Sequence, residues 1–287
     1  MIFTGAGQWG YRASNVGSTR PAAAFGTSVS PSATANTYGS YTSLLAGGDI
    51  LYDCFWVVIN INTIGVSGAG KDAICTIGID PTGGTSYTDW IPNLLCGQAS
   101  SHIQVRGGSW YSFPLFVKAG SRIAAKLACN TASGTAGNVA IWLDGQPRNP
   151  YSQFVGYNGV EAIGVTTASS SGTVVTPGTT SVGSWTSLGT SSSPCFYWNY
   201  GMGINDGSVS DFVYSADIAT GDASNKHIIV SQGRAFSLAS PDTMSFSQSE
   251  TSADWAVPAG GNIYGRLWCS GAGGDSNVSM AAYGVRY

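Results

Sequence analysis

Two glycine-rich segments of this chain have residue types that bind nucleotide phosphates, but neither has the context that such binding needs. Residues 5–10, Gly-Ala-Gly-Gln-Trp-Gly, match the dinucleotide fingerprint, yet only four residues precede them and no helical pattern follows. Residues 65–72, Gly-Val-Ser-Gly-Ala-Gly-Lys-Asp, follow a predicted strand. Their last position must be Ser or Thr to bind magnesium, whereas Asp72 brings a negative charge. We expect two loops and no nucleotide cofactor.

The residues that could act as bases, nucleophiles or metal ligands are few and scattered. His102 and His227 are the two histidines, and each precedes Ile-x-Val, which indicates related strands rather than one catalytic base. No Gly-x-Ser-x-Gly turn or zinc-type Cys/His cluster is present. Asp217, Asp222 and Asn225 offer at most a loose calcium site without a twelve-residue calcium loop. The sequence predicts neither an enzyme nor a resident metal.

Two dense aromatic segments are the remaining candidates for recognition. Residues 110–114 read Trp-Tyr-Ser-Phe-Pro, and residues 196–200 read Phe-Tyr-Trp-Asn-Tyr. If these segments are strands, alternate side chains face outward, where aromatic rings stack on sugars or anchor protein contacts. The same rings could instead fill a core or the joint between domains. The candidate contact residues for a protein interface or a glycan are Trp110, Tyr111, Tyr197 and Trp198.

The elements that would position these residues occur twice along the chain. Gly-Ser-Tyr-Thr-Ser-Leu at residues 39–44 returns as Gly-Ser-Trp-Thr-Ser-Leu at residues 183–188. Ala-Gly-Ser-Arg-Ile at residues 119–123 returns as Ala-Gly-Gly-Asn-Ile at residues 259–263. A period of this length is too long for a solenoid unit and indicates two copies of one whole domain. We therefore predict an internal duplication.

The duplication predicts the domain boundaries. Residues 145–150, Gly-Gln-Pro-Arg-Asn-Pro, contain two prolines and are typical of a short, stiff connector. We expect a first domain with an N-terminal arm at residues 1–150 and a second domain at residues 151–287, held in a fixed relation. Each domain is long enough to bury a core of its own.

The composition predicts strands rather than helices. The chain has 40 glycines, and the helix formers Lys and Glu are scarce. Residues 73–79, Ala-Ile-Cys-Thr-Ile-Gly-Ile, alternate and end at the turn sequence Asp-Pro-Thr-Gly-Gly. About six to eight such strands in each copy predict two packed antiparallel sheets. The expected fold class is all-β, with two tandem antiparallel β-sandwich domains of jelly-roll type.

Ten segments have a clear strand pattern, and turn residues separate them. The predicted strands are residues 53–63, 73–79, 113–117, 122–129 and 138–143 in the first copy, and residues 195–204, 211–218, 226–230, 262–269 and 278–285 in the second. Asn-Asp-Gly-Ser at residues 205–208 predicts a hairpin. The glycines at positions 120 and 260 predict tight turns, because glycine adopts unusual backbone angles at little steric cost.

Charge and cysteine usage limit the classes of partner. Only 9% of the residues are charged and the formal net charge is −3, so we expect no nucleic-acid partner. The first residues lack a signal-peptide pattern and no apolar run has membrane-spanning length, so we expect a protein made in a reducing cytoplasm without a membrane partner. The six cysteines are interpreted as buried apolar residues, with intermolecular disulfides left as an alternative.

The chain resembles accessory proteins of tailed-bacteriophage virions. The resemblance is carried by Ala-Ser-Asn-Val at residues 13–16, by the segments 27–31 and 39–44, and by Ala-Gly-Ser-Arg-Ile-Ala at residues 119–124. Such proteins include head decoration (cement) proteins, head fibres and tail adsorption proteins built of tandem β-sandwiches. These motifs are structural and extend through both copies, so no binding residue is carried over.

The resemblance implies a function and a location. A structural virion protein would decorate or stabilise the capsid by contacting the major capsid protein or other virion proteins, and would form homo-oligomers. A tail or head-fibre adsorption module that binds host surface glycans is the alternative. Both imply a component of the virion without a cofactor.

Overall fold

The computed structural model describes most of the chain as strands. The described residues are 11–14, 26–63, 73–96, 109–132, 136–145, 158–169, 172–179, 181–206, 212–237, 242–246, 256–271 and 278–287. Within these ranges, a short 3-10 turn at Gly47–Asp49 is the single helical element, and no helix has the length and apolarity for crossing a membrane. Both glycine-rich segments, which were predicted to be loops, lie outside the described residues, as do His102 and most of the predicted arm and connector.

The first sandwich contains nine strands in two antiparallel sheets. The strands are β1 Tyr11–Ser14, β2 Thr27–Val29, β3 Thr42–Leu45, β4 Trp56–Thr63, β5 Ala73–Asp80, β6 Thr88–Leu95, β7 Ser109–Phe113, β8 Arg122–Cys129 and β9 Gly137–Gly145. One sheet has the order β1-β9-β4-β7, with β2 also paired to β9, and the other has the order β3-β8-β5-β6. With β1 and β2 taken as one interrupted strand, this is the order of a jelly roll.

The second sandwich has the same strand order. Its strands are β10 Val160–Ile163, β11 Thr173–Val174, β12 Thr186–Thr190, β13 Cys195–Asp206, β14 Phe212–Gly221, β15 Lys226–Ser237, β16 Asp242–Phe246, β17 Asn262–Cys269 and β18 Val278–Arg286. The sheets are β10-β18-β13-β16, with β11 on β18, and β12-β17-β14-β15. The predicted all-β fold with tandem β-sandwiches is confirmed. The duplication remains an inference from the sequence, and the shared strand order supports it.

The repeated tight turn occurs at equivalent places in both sandwiches. Gly120 and Gly260 both have φ of +81°, a left-handed conformation that favours glycine. The amide of Ser121 donates to the Lys118 carbonyl (3.1 Å), and the amide of Gly261 donates to the Pro258 carbonyl (3.0 Å). Each turn leads directly into a central strand, β8 or β17, whose bounds match the predicted segments 122–129 and 262–269.

One predicted strand is wrong and one strand was missed, both at proline residues. The predicted strand 113–117 is wrong, because β7 ends at Phe113 and Pro114, which has no amide hydrogen, cannot continue the ladder. Val117 instead forms an isolated bridge with Cys54. The sequence patterns also miss β6, an edge strand that contains Pro92. Its register against β5 shifts there, and Asn93 has φ of +53°, which marks a bulge.

One apolar cluster combines the core of the first sandwich with residues on the outer face of one sheet of the second, whose own core is a separate cluster. The rings of Tyr111 and Tyr283 meet edge to face with centroids 5.3 Å apart. The Asn199 side-chain amide donates to the Ser112 carbonyl across the joint (2.6 Å). The outer face of the β10-β18-β13 sheet is therefore buried against the first sandwich. The joint holds the two sandwiches in a fixed relation, since opening it would expose apolar surface to water.

Candidate functional site

Of the four predicted contact residues, Trp110 alone reaches the surface. It lies on the outward side of β7 and is 41% exposed. Its ring stacks on that of Trp142 on β9, with centroids 5.3 Å apart and an interplanar angle of 17°. The pair forms an aromatic platform on the outer face of the first sandwich. Whether Trp110 contacts a partner stays a prediction.

The other three aromatic residues are buried, which corrects their prediction as contacts for an external ligand. The Tyr111 hydroxyl donates to the Leu95 carbonyl (2.7 Å) inside the joint between the sandwiches. Tyr197 packs edge to face on Trp56 in the same joint, with ring centroids 5.8 Å apart. Trp198 lies in the core of the second sandwich. The physical reason is that β13 is covered on both faces, so alternation along this strand leaves neither set of side chains in solvent.

A groove on the outer face of the β12-β17-β14-β15 sheet is a better candidate for a ligand-binding site than the buried aromatic residues. Its volume is about 730 Å³, and four serine hydroxyls contribute to its walls. We call it the second-sandwich groove. Besides the serines, its principal lining residues are Val182, Asp217, Ile228, Arg266 and Trp268. Val182 and Ile228 are large apolar side chains that remain more than 40% exposed. The lining thus combines one indole, aliphatic surface, hydroxyl groups and one pair of opposite charges.

Strand alternation and register create this arrangement. Along β17, Ile263, Leu267 and Cys269 are buried in the core, whereas Arg266 and Trp268 point outward. Alternate outward residues of this kind are expected for a strand with one solvated face. The sequence analysis missed the groove, although the alternation in residues 262–269 was the signal that could have found its β17 side.

The charged pair in the groove is held in one geometry. Asp217 on β14 lies opposite Arg266 on β17 in the antiparallel register. The Arg266 Nε donates to Asp217 Oδ2 (2.8 Å), and Nη2 lies 2.7 Å from the same oxygen. The guanidinium also lies 4.3 Å from the ring centre of Trp185. Stacking and the ion pair together pre-organise the guanidinium, whose planar donors are already fixed in direction.

The equivalent face of the first sandwich has the same motif with different residues. Lys126 on β8 stands where Arg266 stands on β17, and its ammonium lies 4.8 Å from the ring centre of Tyr41. Lys126 forms an ion pair with Asp89 (2.7 Å). Partial burial opposes ionisation of Asp89, but hydrogen bonds from Lys126 and Tyr41 outweigh it and hold its pKa below the usual value.

On this equivalent face, the position opposite Lys126 is covered. Thr76, opposite Lys126 in the register, is fully buried, and its hydroxyl donates to the Tyr38 oxygen (2.8 Å). Burial raises the pKa of Tyr38 well above its usual value. The Tyr41 ring lies so close to Gly78 that a Cβ at that position would approach it to 2.5 Å. Tyr41 matches Trp185 of the second sandwich, whereas Tyr38, which precedes the repeated segment as Val182 does, covers Thr76 with a larger side chain.

The carboxylates that the sequence suggested for calcium have structural uses. Asp217 pairs with Arg266, and Asp222 accepts hydrogen bonds from the amides of Ser224 and Asn225 (2.7 Å each), which lower its pKa. Among the residues with described positions, no group of three or more His, Cys, Asp or Glu side chains could hold a metal ion.

All six cysteines are free and buried. Cys54 and Cys195 occupy equivalent positions, each bridging to the valine before a repeated turn. Burial raises the pKa of Cys54 to about 12 and that of Cys195 to about 11. Thiols with such pKa values are protonated at neutral pH and are poor nucleophiles. The interpretation of the cysteines as buried apolar residues is therefore confirmed.

No family model matches this chain, and no curated protein matches it. Among solved structures, the N-terminal CBM22-1-CBM22-2 tandem domain of Xyn10C from Paenibacillus barcinonensis aligns over 97% of this chain and 92% of its own, with 13% identity and a TM-score of 0.21. The naturally occurring empty particle (top component) of cowpea mosaic virus aligns over 97% and 88%, with 8% identity and a TM-score of 0.27. Similarities at these TM-scores carry no argument about function.

Proposed function

We propose that this chain is a structural protein of a tailed-bacteriophage virion that decorates or stabilises the capsid through protein–protein contacts. The observation that supports this proposal is the apolar joint, in which one face of the second sandwich packs into the core cluster of the first. A decoration protein must bridge neighbouring subunits without bending, and two jelly rolls fixed to each other by an apolar joint form one stiff block. Jelly rolls also recur in viral capsid domains, which is an analogy at the level of the fold.

The weak charge of the chain indicates how such a protein would attach. With 9% charged residues, attachment to the major capsid protein, or to further copies in a homo-oligomer, would rest on shape and apolar contact. It would therefore depend little on salt. Leu51 and Tyr52, adjacent in the loop before β4, are 64% and 63% exposed. They are the largest neighbouring pair of exposed apolar side chains among the described residues, which makes them our candidate for the capsid contact.

Purified virions provide the test. Quantitative mass spectrometry of particles banded on a density gradient should find this protein in a fixed ratio to the major capsid protein. The double variant Leu51→Ser/Tyr52→Ser should reduce that ratio several-fold, whereas Val174→Ser, which removes an exposed apolar side chain elsewhere, should leave it unchanged. Finding the wild-type protein only in the particle-free lysate would reject the proposal.

A second candidate function is that of an adsorption module that binds host surface glycans. The exposed aromatic surfaces favour it, in particular the Trp110–Trp142 platform, because indole rings combine apolar faces with a polar N–H group. Binding of the recombinant protein to an oligosaccharide array tests this function independently of the virion.

A further inference from the structure

We infer that the second-sandwich groove is a binding site for a neutral saccharide chain. This inference rests on the second candidate function and places the binding site away from the Trp110–Trp142 platform. The groove has the shape, the lining and the charge that such a ligand needs, and in the first sandwich the position equivalent to Asp217 is buried under Tyr38.

The dimensions of the groove suit a short stretch of a chain-like ligand. Its volume of about 730 Å³ lies in the range of roughly 300–1,000 Å³ that is usual for small-molecule sites. The floor consists of β14 and β17, which are paired on both sides within their sheet. A floor of central strands is rigid, so binding would cost little conformational entropy in the protein.

The lining matches the amphipathic character of sugars. A pyranose ring has apolar C–H faces and a rim of hydroxyl groups. Trp268 and Ile228 offer surfaces on which C–H faces can pack, while the groove serines offer hydroxyl groups that both donate and accept hydrogen bonds. Arg266 and Asp217 add a donor and an acceptor in one fixed plane. This mixture provides orientation through a few polar groups on a mainly apolar surface.

The charge of the groove selects a neutral ligand. Its charged lining consists of Arg266 and Asp217, which are ion-paired and cancel each other. A phosphate-bearing or uronic-acid chain would find no net positive potential there. A peptide strand is also disfavoured, because the amides and carbonyls of β14 and β17 are used within the sheet and none is offered for strand addition.

The contrast between the two sandwiches predicts one site in each chain. On the first sandwich, Thr76 and Tyr38 occupy the corresponding position. On the second sandwich, Asp217 takes the position of Thr76, and Arg266 lies over the indole of Trp185. Binding measured by titration should therefore saturate at one saccharide per chain.

The experiment uses the full chain on an array of neutral and acidic oligosaccharides, followed by calorimetric titration of the best neutral binder. Trp268→Ala should weaken binding at least tenfold, which corresponds to about 1.4 kcal/mol. Ser215→Trp, which fills the groove without removing any of its aromatic or charged groups, should have the same effect. Val174→Ala, which truncates an exposed apolar side chain outside the groove, is the control and should bind like the wild type, whereas Trp110→Ala tests the Trp110–Trp142 platform separately. Circular dichroism melts confirm that each variant folds.

The other outcomes contradict the inference in distinguishable ways. If Trp110→Ala abolishes binding while Trp268→Ala does not, glycan binding stands but the groove is the wrong site. If only acidic oligosaccharides bind, the assignment of a neutral ligand fails. If Trp268→Ala changes the oligomeric state and no oligosaccharide binds at millimolar concentration, the groove is a protein contact. None of these results bears on virion incorporation.

Discussion

The hydroxyl of Tyr283, on the last strand of the second sandwich, donates a hydrogen bond to the Asn93 carbonyl on the edge of the first (3.0 Å). The same oxygen accepts a hydrogen bond from the amide of Leu95 (2.9 Å). An edge strand leaves such backbone groups without a ladder partner on one side. The bulge after Pro92 turns the Asn93 carbonyl and the Leu95 amide towards Tyr283. One buried tyrosine therefore satisfies two backbone groups of the other sandwich, which explains why the joint is both apolar and specific.

Replacing Tyr283 should destabilise the whole protein. Tyr283→Phe keeps the ring but leaves the Leu95 amide and the Asn93 carbonyl buried without this partner, a loss of about 1–3 kcal/mol in the free energy of unfolding. Guanidinium denaturation followed by fluorescence measures it. Tyr264→Phe, which removes a partly exposed hydroxyl, is the control and should change the midpoint little. Equal midpoints for the two variants would contradict this role of Tyr283.

The two repeated turns should respond equally to alanine. No heavy atom would lie within 4 Å of a Cβ added to Gly120 or Gly260, so the cost of alanine comes from the positive φ alone. We expect each of Gly120→Ala and Gly260→Ala to lower the free energy of unfolding by about 1–2 kcal/mol. Gly48→Ala is the control, since its Cβ also meets open space but its φ is not positive. A cost for Gly48→Ala as large as for the other two would show that strain is not the cause.

Acid should weaken the first sandwich through Asp89. Hydrogen bonds from Lys126 and Tyr41, which outweigh partial burial, depress its folded-state pKa. A depressed carboxyl pKa contributes stability above the unfolded value, about 3.9 for Asp, and this contribution is lost as pH falls through the folded pKa. Asp89→Asn should therefore lower the melting temperature at pH 7 and flatten its decline below about pH 4. Lys126→Met should flatten it as well. A decline as steep in both variants as in the wild type would contradict this assignment.

The thiols should be unreactive in the folded protein. Burial raises the pKa of Cys195 to about 11 and that of Cys54 to about 12, and the remaining cysteines are buried too. Iodoacetamide at pH 8 should label none of them without denaturant, and all six once the chain is unfolded, as counted by intact mass. A disulfide-linked dimer on a non-reducing gel would support the alternative of intermolecular bridges.

Local sequence was enough to predict the class of fold. Strand segments such as 122–129 and 262–269 could be predicted because alternation, β-branched residues and turn glycines are properties of neighbouring residues. Strand β6 could not be predicted, because Pro92 argues against a strand and only the bulge in the folded sheet accommodates this proline. Its Leu95 amide and Asn93 carbonyl instead form hydrogen bonds with the hydroxyl of Tyr283, about 190 residues further along the chain.

The sequence by itself determined the all-β class, the repeated turns and the set of aromatic residues worth examining, because these depend on short-range pattern. Only the tertiary structure decided which of those residues meet solvent. Alternation sorts the side chains of a strand into two faces but does not say what covers either face. The joint between the sandwiches buried Tyr111 and Tyr197. The register of β14 against β17 brought Asp217 to Arg266 across 49 residues, and both side chains line the groove whose floor these strands form.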